Sequence, residues 1–378
     1  MRFTRFTRFT RFTRFLGVVA LLVAVAPVLQ LAQGRSAVEL EKAGWEAIRA
    51  NRPREAADAF RAAIRLEPRS VRLVLGAGLA AHLLGRSEEA RQHLVAVLEA
   101  DPALTEASML LGQILYGQGD LAGAIHVYEL ALARAPATPL LLERLEAWRR
   151  EAELHGRFSL RYDDHFTVLF EGPREEAIAK HAIELLEAAY WRIGTALGAY
   201  PNGTVTVVLY TNEQFRDVTQ SPAWAAGAFD GRIRVPMRGA LNDSRALERV
   251  LAHEFTHALI HSLAPRGVPQ WLNEGLAQVF EPGGDRGEAT LQAQSPEMDR
   301  PAAGVPLQRL EKSFEGLDSN EARMAYRQSA EAARMLIDRA GTIGVLNLLS
   351  FIGEGMPFAQ AFERATFVSY AEFERSWK

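Results

Sequence analysis

One five-residue segment of the chain carries side chains that could bind a metal ion and move a proton. His253 and His257 stand four residues apart, and Glu254 lies between them. Residues at this spacing share one face of a helix, so two imidazoles could bind one ion while the carboxylate points beside them toward a water on that ion. The segment therefore predicts a zinc site for hydrolysis, with His253 and His257 as ligands and Glu254 as general base.

A third ligand is expected in the next helix-like block, residues 270–278. Glu274 is an acid in a stretch otherwise rich in apolar residues, and burying a carboxylate is costly unless a positive group pairs with it. The linker between the two blocks, residues 265–269, contains two prolines and a glycine, so the second helix can return and aim Glu274 at the imidazoles. The chain has no cysteine, so a zinc site must use His, Asp and Glu. We expect one Zn²⁺ per chain, bound by His253, His257 and Glu274.

The helix that must carry the two histidines is indicated by its apolar periodicity. Apolar residues recur at helical spacing through residues 247–259, and three polar residues that can cap a helix, 242–244, precede them. His261 continues the series of histidines, but it would lie about 12 Å along the helix axis from His253. We therefore expect His261 outside the metal site, on the surface or behind the ligands.

Two motifs together carry a family resemblance. The matching text is His253-Glu254-x-x-His257 followed by Trp271-Leu272-Asn273-Glu274-Gly275-x-Ala277. It resembles the gluzincin peptidases, and more narrowly the small peptidase MA-like domains often found beside tetratricopeptide repeats. The resemblance covers most of residues 157–378 and implies an α+β zinc metallopeptidase domain that hydrolyses peptide bonds in a protein or peptide substrate. Glu254 would take the proton of the attacking water and pass it to the leaving amine.

The resemblance also bears on two further residues and on specificity. Related peptidases stabilise the oxyanion with a downstream Tyr or His, which makes Tyr326 a candidate, with packing at a helix start as the alternative. Trp271 could line a substrate cleft, but a lone tryptophan at the start of an amphipathic helix is expected in the core. The chain lacks the Gly-Ala-Met-Glu-Asn motif that would anchor the free amino terminus of an aminopeptidase's substrate. Endopeptidase activity is therefore favoured, and an aminopeptidase is an alternative.

A repeated module precedes these motifs. Between about residues 37 and 136 the sequence repeats at an offset of 34 residues, and each unit has two apolar-periodic blocks separated by a polar turn. Four positions keep the register: Pro68, Pro102 and Pro136; Gly44, Gly78 and Gly112; Ala56, Ala90 and Ala124; Phe60, Leu94 and Tyr128. The pattern resembles tetratricopeptide repeats. It predicts three helical hairpins stacked as an all-α solenoid, closed by a capping helix over residues 140–154.

The pattern changes after Gly156. Short β-like runs alternate with a long amphipathic helix near residues 175–197, and the chain turns mostly helical from Ser244. The predicted strands are residues 157–162, 166–170, 205–210 and 232–235. The sequence thus predicts a multidomain protein, with the helical-hairpin solenoid in residues 35–155 and the α+β metallopeptidase domain in residues 156–378.

The first 34 residues predict export. Five arginines precede an apolar run at residues 16–32, as in the basic and hydrophobic regions of a signal peptide, and small residues at 32–34 offer a cleavage site. A cleaved signal is favoured. The alternative is an uncleaved anchor, through which alone we expect contact with a membrane. Both interpretations export the remainder to the periplasm or another extracytoplasmic space.

Three other functions are disfavoured by the sequence. A formal charge of −3 and a pI near 6.3 give no basic face for nucleic acid. Residues 76–81 imitate a dinucleotide-binding fingerprint, but Gly78 is already explained by the repeat and the segment is predicted as helix. Residues 283–287 lack the lysine of a phosphate-binding loop and are predicted as a surface loop.

The main competing hypothesis is a protein-binding or assembly factor. The solenoid would then bind a protein partner, and the second domain would hold zinc without catalysing a reaction. Glu254 distinguishes the two hypotheses, because a structural site needs no base between its histidines and usually has four protein ligands.

Overall fold

The computed structural model describes residues 36–136, 138–219, 227–237, 243–282, 306–312, 314 and 317–377. The predicted export segment at residues 1–34 and the predicted loop at residues 283–287 lie outside these ranges. Within them, helices predominate, and a single sheet lies between two helical layers.

Consecutive helical hairpins form the first part of the described chain. The helices are α1 (Ala37–Arg49), α2 (Pro53–Leu66), α3 (Val71–Leu83), α4 (Ser87–Ala100), α5 (Thr105–Gly117), α6 (Leu121–Arg134) and α7 (Pro139–His155). The first six pair as three hairpins, and α7 packs on α6 through Leu141, Leu145 and Trp148. The predicted solenoid of three hairpins with a capping helix is confirmed.

The repeated glycines have a packing role. Gly112 of α5 lies so close to Tyr128 of α6 that an added Cβ would stand 2.3 Å from the ring. A Cβ added to Gly44 would likewise stand 2.7 Å from the ring of Phe60. A small residue on the first helix therefore makes room for a large buried residue on the second, which explains why these positions share the 34-residue period.

The turns of the three hairpins share a second feature. Asn51, Gly85 and Gly119 each have a positive φ, of 56°, 71° and 86°, in the left-handed region that favours glycine and tolerates asparagine. The same three residues face the second part of the protein. Asn51 accepts a hydrogen bond from Arg266, Gly85 lies against Pro265, and Gly119 lies near Thr206.

A five-stranded sheet forms the centre of the second part. Its strands are β1 (Phe158–Tyr162), β2 (Phe166–Glu171), β3 (Val205–Tyr210), β4 (Ala228–Phe229) and β5 (Ile233–Pro236), in the order β1-β2-β3-β5-β4. β2, β3 and β5 are parallel, whereas β1 and β4 run antiparallel at the two edges. The strand β4 was missed by sequence reasoning, because two residues are too few for an alternating pattern.

Helices cover both faces of this sheet. They are α8 (Glu176–Leu197), α9 (Asn212–Thr219), α10 (Ser244–Leu263), α11 (Gln270–Val279), α12 (Ser319–Gly353), α13 (Phe358–Thr366) and α14 (Tyr370–Trp377), with short 3₁₀ turns at Pro173–Glu175 and Leu307–Leu310. α8 and α10 pack on one face, where Phe166, Val207 and Phe255 join the main core. On the other face, Val208 and Tyr210 pack against α9 and the end of α7.

α12 is long and apolar enough, by length and composition alone, to cross a membrane between Asn320 and Gly353. The chain nevertheless leaves helical geometry at Gly341, where φ is 67° and ψ is 172°. The buried residues Leu336 and Leu349 belong to the main core, so the helix also serves as a packing element of this domain.

A buried ion-pair network joins the solenoid to the sheet. Glu151 of α7 is 4% exposed and accepts hydrogen bonds from Arg232 and Arg234, at 3.0 Å each. Arg234 also donates to the hydroxyls of Tyr116 and Tyr210, both at 2.6 Å. Charges buried this deeply must be paired, so the network holds the two parts of the chain in one fixed arrangement.

Candidate metal centre

The helix α10 presents the first two expected ligands. Asp243 caps it by accepting a hydrogen bond from the backbone N–H of Ala246 at 2.9 Å. Two turns later His253 and His257 lie on one face, with ring centroids 4.8 Å apart. Their side chains are 18% and 9% exposed, so both imidazoles lie at the base of the site and not on the open surface.

The helix α11 brings Glu274 to these imidazoles. Its Oε2 lies 3.4 Å from Nε2 of His253 and 3.6 Å from Nε2 of His257. One possible ligand atom from each of the three residues lies within 4.8 Å of the others. Ligands placed about 2.0–2.1 Å from a tetrahedral ion are about 3.3 Å apart, close to the two distances observed.

Glu274 uses its two carboxylate oxygens differently. Oε1 accepts a hydrogen bond from Gln270, one turn earlier on α11, at 2.9 Å. Oε2 is buried and has no hydrogen-bond partner among the residues that the structure describes. A buried anionic oxygen without a donor is costly, and a cation between Oε2 and the two imidazoles would satisfy it. The donor set and its geometry therefore fit a metal ion.

Each imidazole is oriented by a partner at its other nitrogen. Nδ1 of His253 lies 2.8 Å from Oε1 of Glu281, and Nδ1 of His257 lies 3.0 Å from Oδ1 of Asn273. Since both oxygens are acceptors, each Nδ1 carries a proton, and each Nε2, on the side of Glu274, is the nitrogen that could bind a metal ion. Sequence reasoning missed both roles. Asn273 adjoins Glu274, but nothing in the local spacing points to Glu281.

Glu254 lies beside the expected ligands and is 5% exposed. Its Oε2 is buried without a hydrogen-bond partner in the described part of the chain. Burial raises the pKa of the Glu254 carboxyl above its ordinary value, although His253 and His257 act in the opposite direction. A carboxyl with a raised pKa is a better match to proton transfer near neutral pH than a surface glutamate.

The charges of the site fit a cation. Burial raises the pKa of Glu274, but the neighbouring imidazoles outweigh it and hold that pKa well below its ordinary value. Burial disfavours the charged form of His253, yet Glu274 and Glu281 raise its pKa well above the ordinary value. Three carboxylates, Glu254, Glu274 and Glu281, surround the two imidazoles, so the negative charge of the site favours a bound cation.

The backbone of Gly227 lies directly against the side chain of Glu254. A Cβ on Gly227 would lie 2.5 Å from Oε1 of Glu254, closer than nonbonded atoms approach. The residue leads into β4, the edge strand, so backbone and carboxylate meet with no side chain between them. Any larger residue at Gly227 would press on the Glu254 carboxylate.

Tyr326, the candidate oxyanion donor, is buried near the charged groups of the site. Burial raises the pKa of Tyr326, and the nearby charges of Glu274 and Glu254 raise it further, so the phenol lies within electrostatic reach of the site. Tyr326 also packs edge-on against Phe314, with ring centroids 5.5 Å apart.

His261 lies on the exposed side of α10, where its ring contacts Phe229, and is not part of the cluster of expected ligands. Trp271 is fully buried and donates a hydrogen bond to the Tyr370 hydroxyl at 3.2 Å. The expectation that Trp271 is a core residue is confirmed.

Comparison with known proteins bears on the repeats. The tetratricopeptide repeat family model matches residues 41–105 and 84–139. No curated protein matches the chain. Tetratricopeptide repeats generally mediate contacts between proteins, which is consistent with a protein partner and with a binding or assembly role for this chain. The helical hairpins that precede the candidate metal centre are tetratricopeptide repeats.

Proposed function

We propose that the protein is a zinc-dependent peptidase, in which His253, His257 and Glu274 bind one zinc ion and Glu254 is the general base. One observation carries the proposal. Oε2 of Glu274 is buried, has no hydrogen-bond partner among the described residues, and lies 3.4 and 3.6 Å from the two Nε2 atoms. The resemblance of residues 157–378 to gluzincin peptidases agrees with this chemistry.

The composition of the site favours catalysis over a structural role. Structural zinc sites usually have four protein ligands, whereas catalytic sites have three and keep one position for water or substrate. The described residues provide three candidate ligands and place the carboxylate of Glu254 beside them. A bound zinc ion would polarise the scissile carbonyl and lower the pKa of a water ligand.

The roles of the protein groups follow from their positions. Glu254, with its raised pKa, would accept a proton from the attacking water and deliver it to the leaving amine. Asn273 and Glu281 would hold the imidazoles in the tautomer that presents Nε2. Tyr326, whose pKa is raised by burial and by the charges of Glu274 and Glu254, is the candidate donor to the oxyanion.

The substrate is proposed to be a polypeptide cleaved within its length. The edge strand β4 begins next to Gly227, and an extended peptide could pair with it so that a peptide bond faces Glu254. The aminopeptidase hypothesis stays as an alternative. We also propose that the protein is exported through residues 1–34, with an anchor at residues 16–32 as the alternative to a cleaved signal peptide.

The proposal is tested by measuring zinc per chain and cleavage of an unfolded protein, with and without a chelator, for wild type and Glu254→Gln. One zinc per chain, with chelator-sensitive cleavage that is lost in the variant, would support the peptidase. Glu254→Gln should keep its zinc, since the ligands are untouched. Cleavage at the wild-type rate by Glu254→Gln would remove the general-base assignment.

A second candidate function is binding or assembly of other proteins without catalysis. The tetratricopeptide repeats support it, because such repeats commonly bind protein segments. Zinc bound without any cleavage in the same experiment would favour this function. The absence of zinc after reconstitution with the metal would contradict the proposed site itself.

A further inference from the structure

A cleft lies where the end of the solenoid meets the second domain. Its volume is about 780 Å³, within the range of about 300–1,000 Å³ found for pockets that hold ligands. α5 and α7 contribute lining residues from the solenoid, and α9 contributes them from the second domain. Leu140, Ala147 and Trp148 of α7, and Gln214 and Val218 of α9, are among them.

The walls of this cleft are held in place by the buried network. The ring of Tyr116 stacks on Trp148, with centroids 4.9 Å apart and planes inclined by 15°. The Tyr116 hydroxyl donates to Glu151 at 2.8 Å and accepts from Arg234 at 2.6 Å. A ligand would therefore meet a preformed cleft, and little ordering of side chains would oppose binding.

The edge strand connects this cleft to the candidate metal centre. Gly227, before β4, lies against Glu254, and Asp230, just after β4, lines the cleft. Three residues of extended chain span about 10 Å. The described strands pair with β4 on one side only, through β5, so its other side could accept an extended peptide. A polypeptide lying along β4 would pass from the general base directly into the cleft.

The cleft is lined by side chains of both charges. Arg144, Arg150 and Arg157 are basic, and Glu143, Asp217 and Asp230 are acidic. Leu140 is 50% exposed and gives the cleft an apolar wall. Such a surface suits an extended polypeptide of mixed composition better than a small charged ligand.

We propose that this cleft binds the segment of an extended polypeptide substrate that lies beyond the scissile bond on one side. The solenoid thereby forms part of the substrate-binding surface of the same enzyme. This inference rests on the proposed peptidase function. It predicts that substrates must extend about four residues past the scissile bond on that side to gain the contact.

The test compares Ala147→Trp with Ala122→Trp in the full-length protein. Ala147 is an exposed helical residue that lines the cleft, and Ala122 is an exposed helical residue of α6 that does not. Two series of fluorogenic peptides share one cleavage site. One series is lengthened only on the amino-terminal side of the scissile bond, and the other only on the carboxyl-terminal side. In wild type and Ala122→Trp, kcat/KM should rise about tenfold along one series only. In Ala147→Trp this rise should be lost, while Ala122→Trp should cleave the shortest peptide as wild type does.

Binding provides a readout that does not depend on turnover. The longest labelled peptide is titrated into Glu254→Gln, alone and combined with Ala147→Trp or Ala122→Trp. We expect Ala147→Trp to weaken the Kd about tenfold and Ala122→Trp to leave it unchanged.

The outcomes separate the two proposals. If neither series depends on length, or if Ala147→Trp leaves the Kd unchanged, the cleft proposal is overturned. The peptidase proposal then stands provided that wild type cleaves the peptides. If no peptide is cleaved but Ala147→Trp weakens binding, the peptidase fails while the cleft is supported as a polypeptide-binding site.

Discussion

Oδ1 of Asn273 lies 3.0 Å from Nδ1 of His257, so the residue just before one expected ligand orients another. Glu281 does the same for His253 at 2.8 Å, from the chain segment that follows α11. The candidate metal centre therefore includes two helices, α10 and α11, joined by hydrogen bonds behind the ligands as well as by the ligands themselves.

The first prediction concerns these orienting groups. Asn273→Ala and Glu281→Ala should each weaken zinc binding by about 10- to 100-fold, because Nδ1 then lacks a fixed acceptor and the imidazole loses its orientation. Competition with a chromophoric chelator measures the Kd. Asn273→Asp keeps an acceptor and should bind zinc far better than Asn273→Ala. Equal affinities for all these variants and wild type would show that the two contacts do not support a metal site.

The second prediction concerns the third ligand. Glu274→Ala should lose stoichiometric zinc, because two imidazoles alone leave the ion without the anionic oxygen that lies 3.4 and 3.6 Å from them. Metal content after dialysis measures this loss. Gln270→Ala removes only the donor to Oε1 and serves as the control. One zinc per chain in Glu274→Ala would exclude Glu274 from the ligand set.

The third prediction separates catalysis from metal binding. Gly227→Val should retain zinc but lower kcat/KM by about 100-fold or more, because its side chain would press on the Glu254 carboxylate and displace it. Metal content and peptide cleavage are measured on the same preparation.

Gly156→Ala is the matched control, since a Cβ there meets backbone atoms only at 3.4 Å and beyond. Normal turnover in Gly227→Val would mean that the edge strand does not face the reacting bond.

The fourth prediction concerns pH. Burial lowers the pKa of His155 from 6.5 to about 4, with Arg232 and Arg234 acting in the same direction and Glu151 against it. As pH falls below 6.5, the unfolded chain binds a proton at His155 before the folded chain does, so stability falls between pH 6.5 and about 4. The difference between a pKa of 6.5 in the unfolded chain and about 4 in the folded chain corresponds to a loss of about 3 kcal/mol. Solvent screens this effect little, because the His155 side chain is only 11% exposed.

Denaturant unfolding at several pH values measures this effect. In His155→Gln, which keeps a hydrogen-bonding group near the Tyr210 hydroxyl, the free energy of unfolding should change less between pH 6.5 and 4 than in wild type. His126→Gln removes an exposed imidazole and should keep the wild-type dependence. An unaltered pH dependence in His155→Gln would contradict the assignment.

The fifth prediction compares one repeat position in two repeats. Gly112→Ala places a Cβ 2.3 Å from the buried Tyr128 ring and should destabilise the protein by about 1–3 kcal/mol. The Cβ of Gly78→Ala would lie 3.2 Å from Cβ of His93 and 3.3 Å from the Leu94 side chain, and the higher helix propensity of alanine, about 1 kcal/mol, should offset these contacts. Urea unfolding followed by circular dichroism measures both. Equal effects at the two positions would show that the large partner does not set the cost.

The features that could be predicted from sequence are those that depend on the spacing of residues close together in the chain. The 34-residue period gave the hairpins, because each repeat places Gly44, Gly78 or Gly112 opposite a large residue 16 positions later. The four-residue spacing of His253 and His257 placed both imidazoles on one face of α10.

Features that depend on distant parts of the chain could not be predicted. Glu281 meets His253 only after α11 has packed, and Gly227 meets Glu254 only through the sheet edge. The buried pairing of Glu151 with Arg232 and Arg234 spans 81 and 83 residues, and no periodicity connects them.

The three left-handed turns of the solenoid have a consequence for its evolution. Asn51 and Gly85 lie against the adjacent residues Arg266 and Pro265 of the second domain, and Gly119 lies near Thr206. In an isolated solenoid each repeat contacts only its neighbours, so the array itself does not fix the number of units. Here, removing an internal unit would shift every preceding turn off its point of attachment. The number of repeats is therefore fixed by the neighbouring domain, and new units can be added without disruption only before α1.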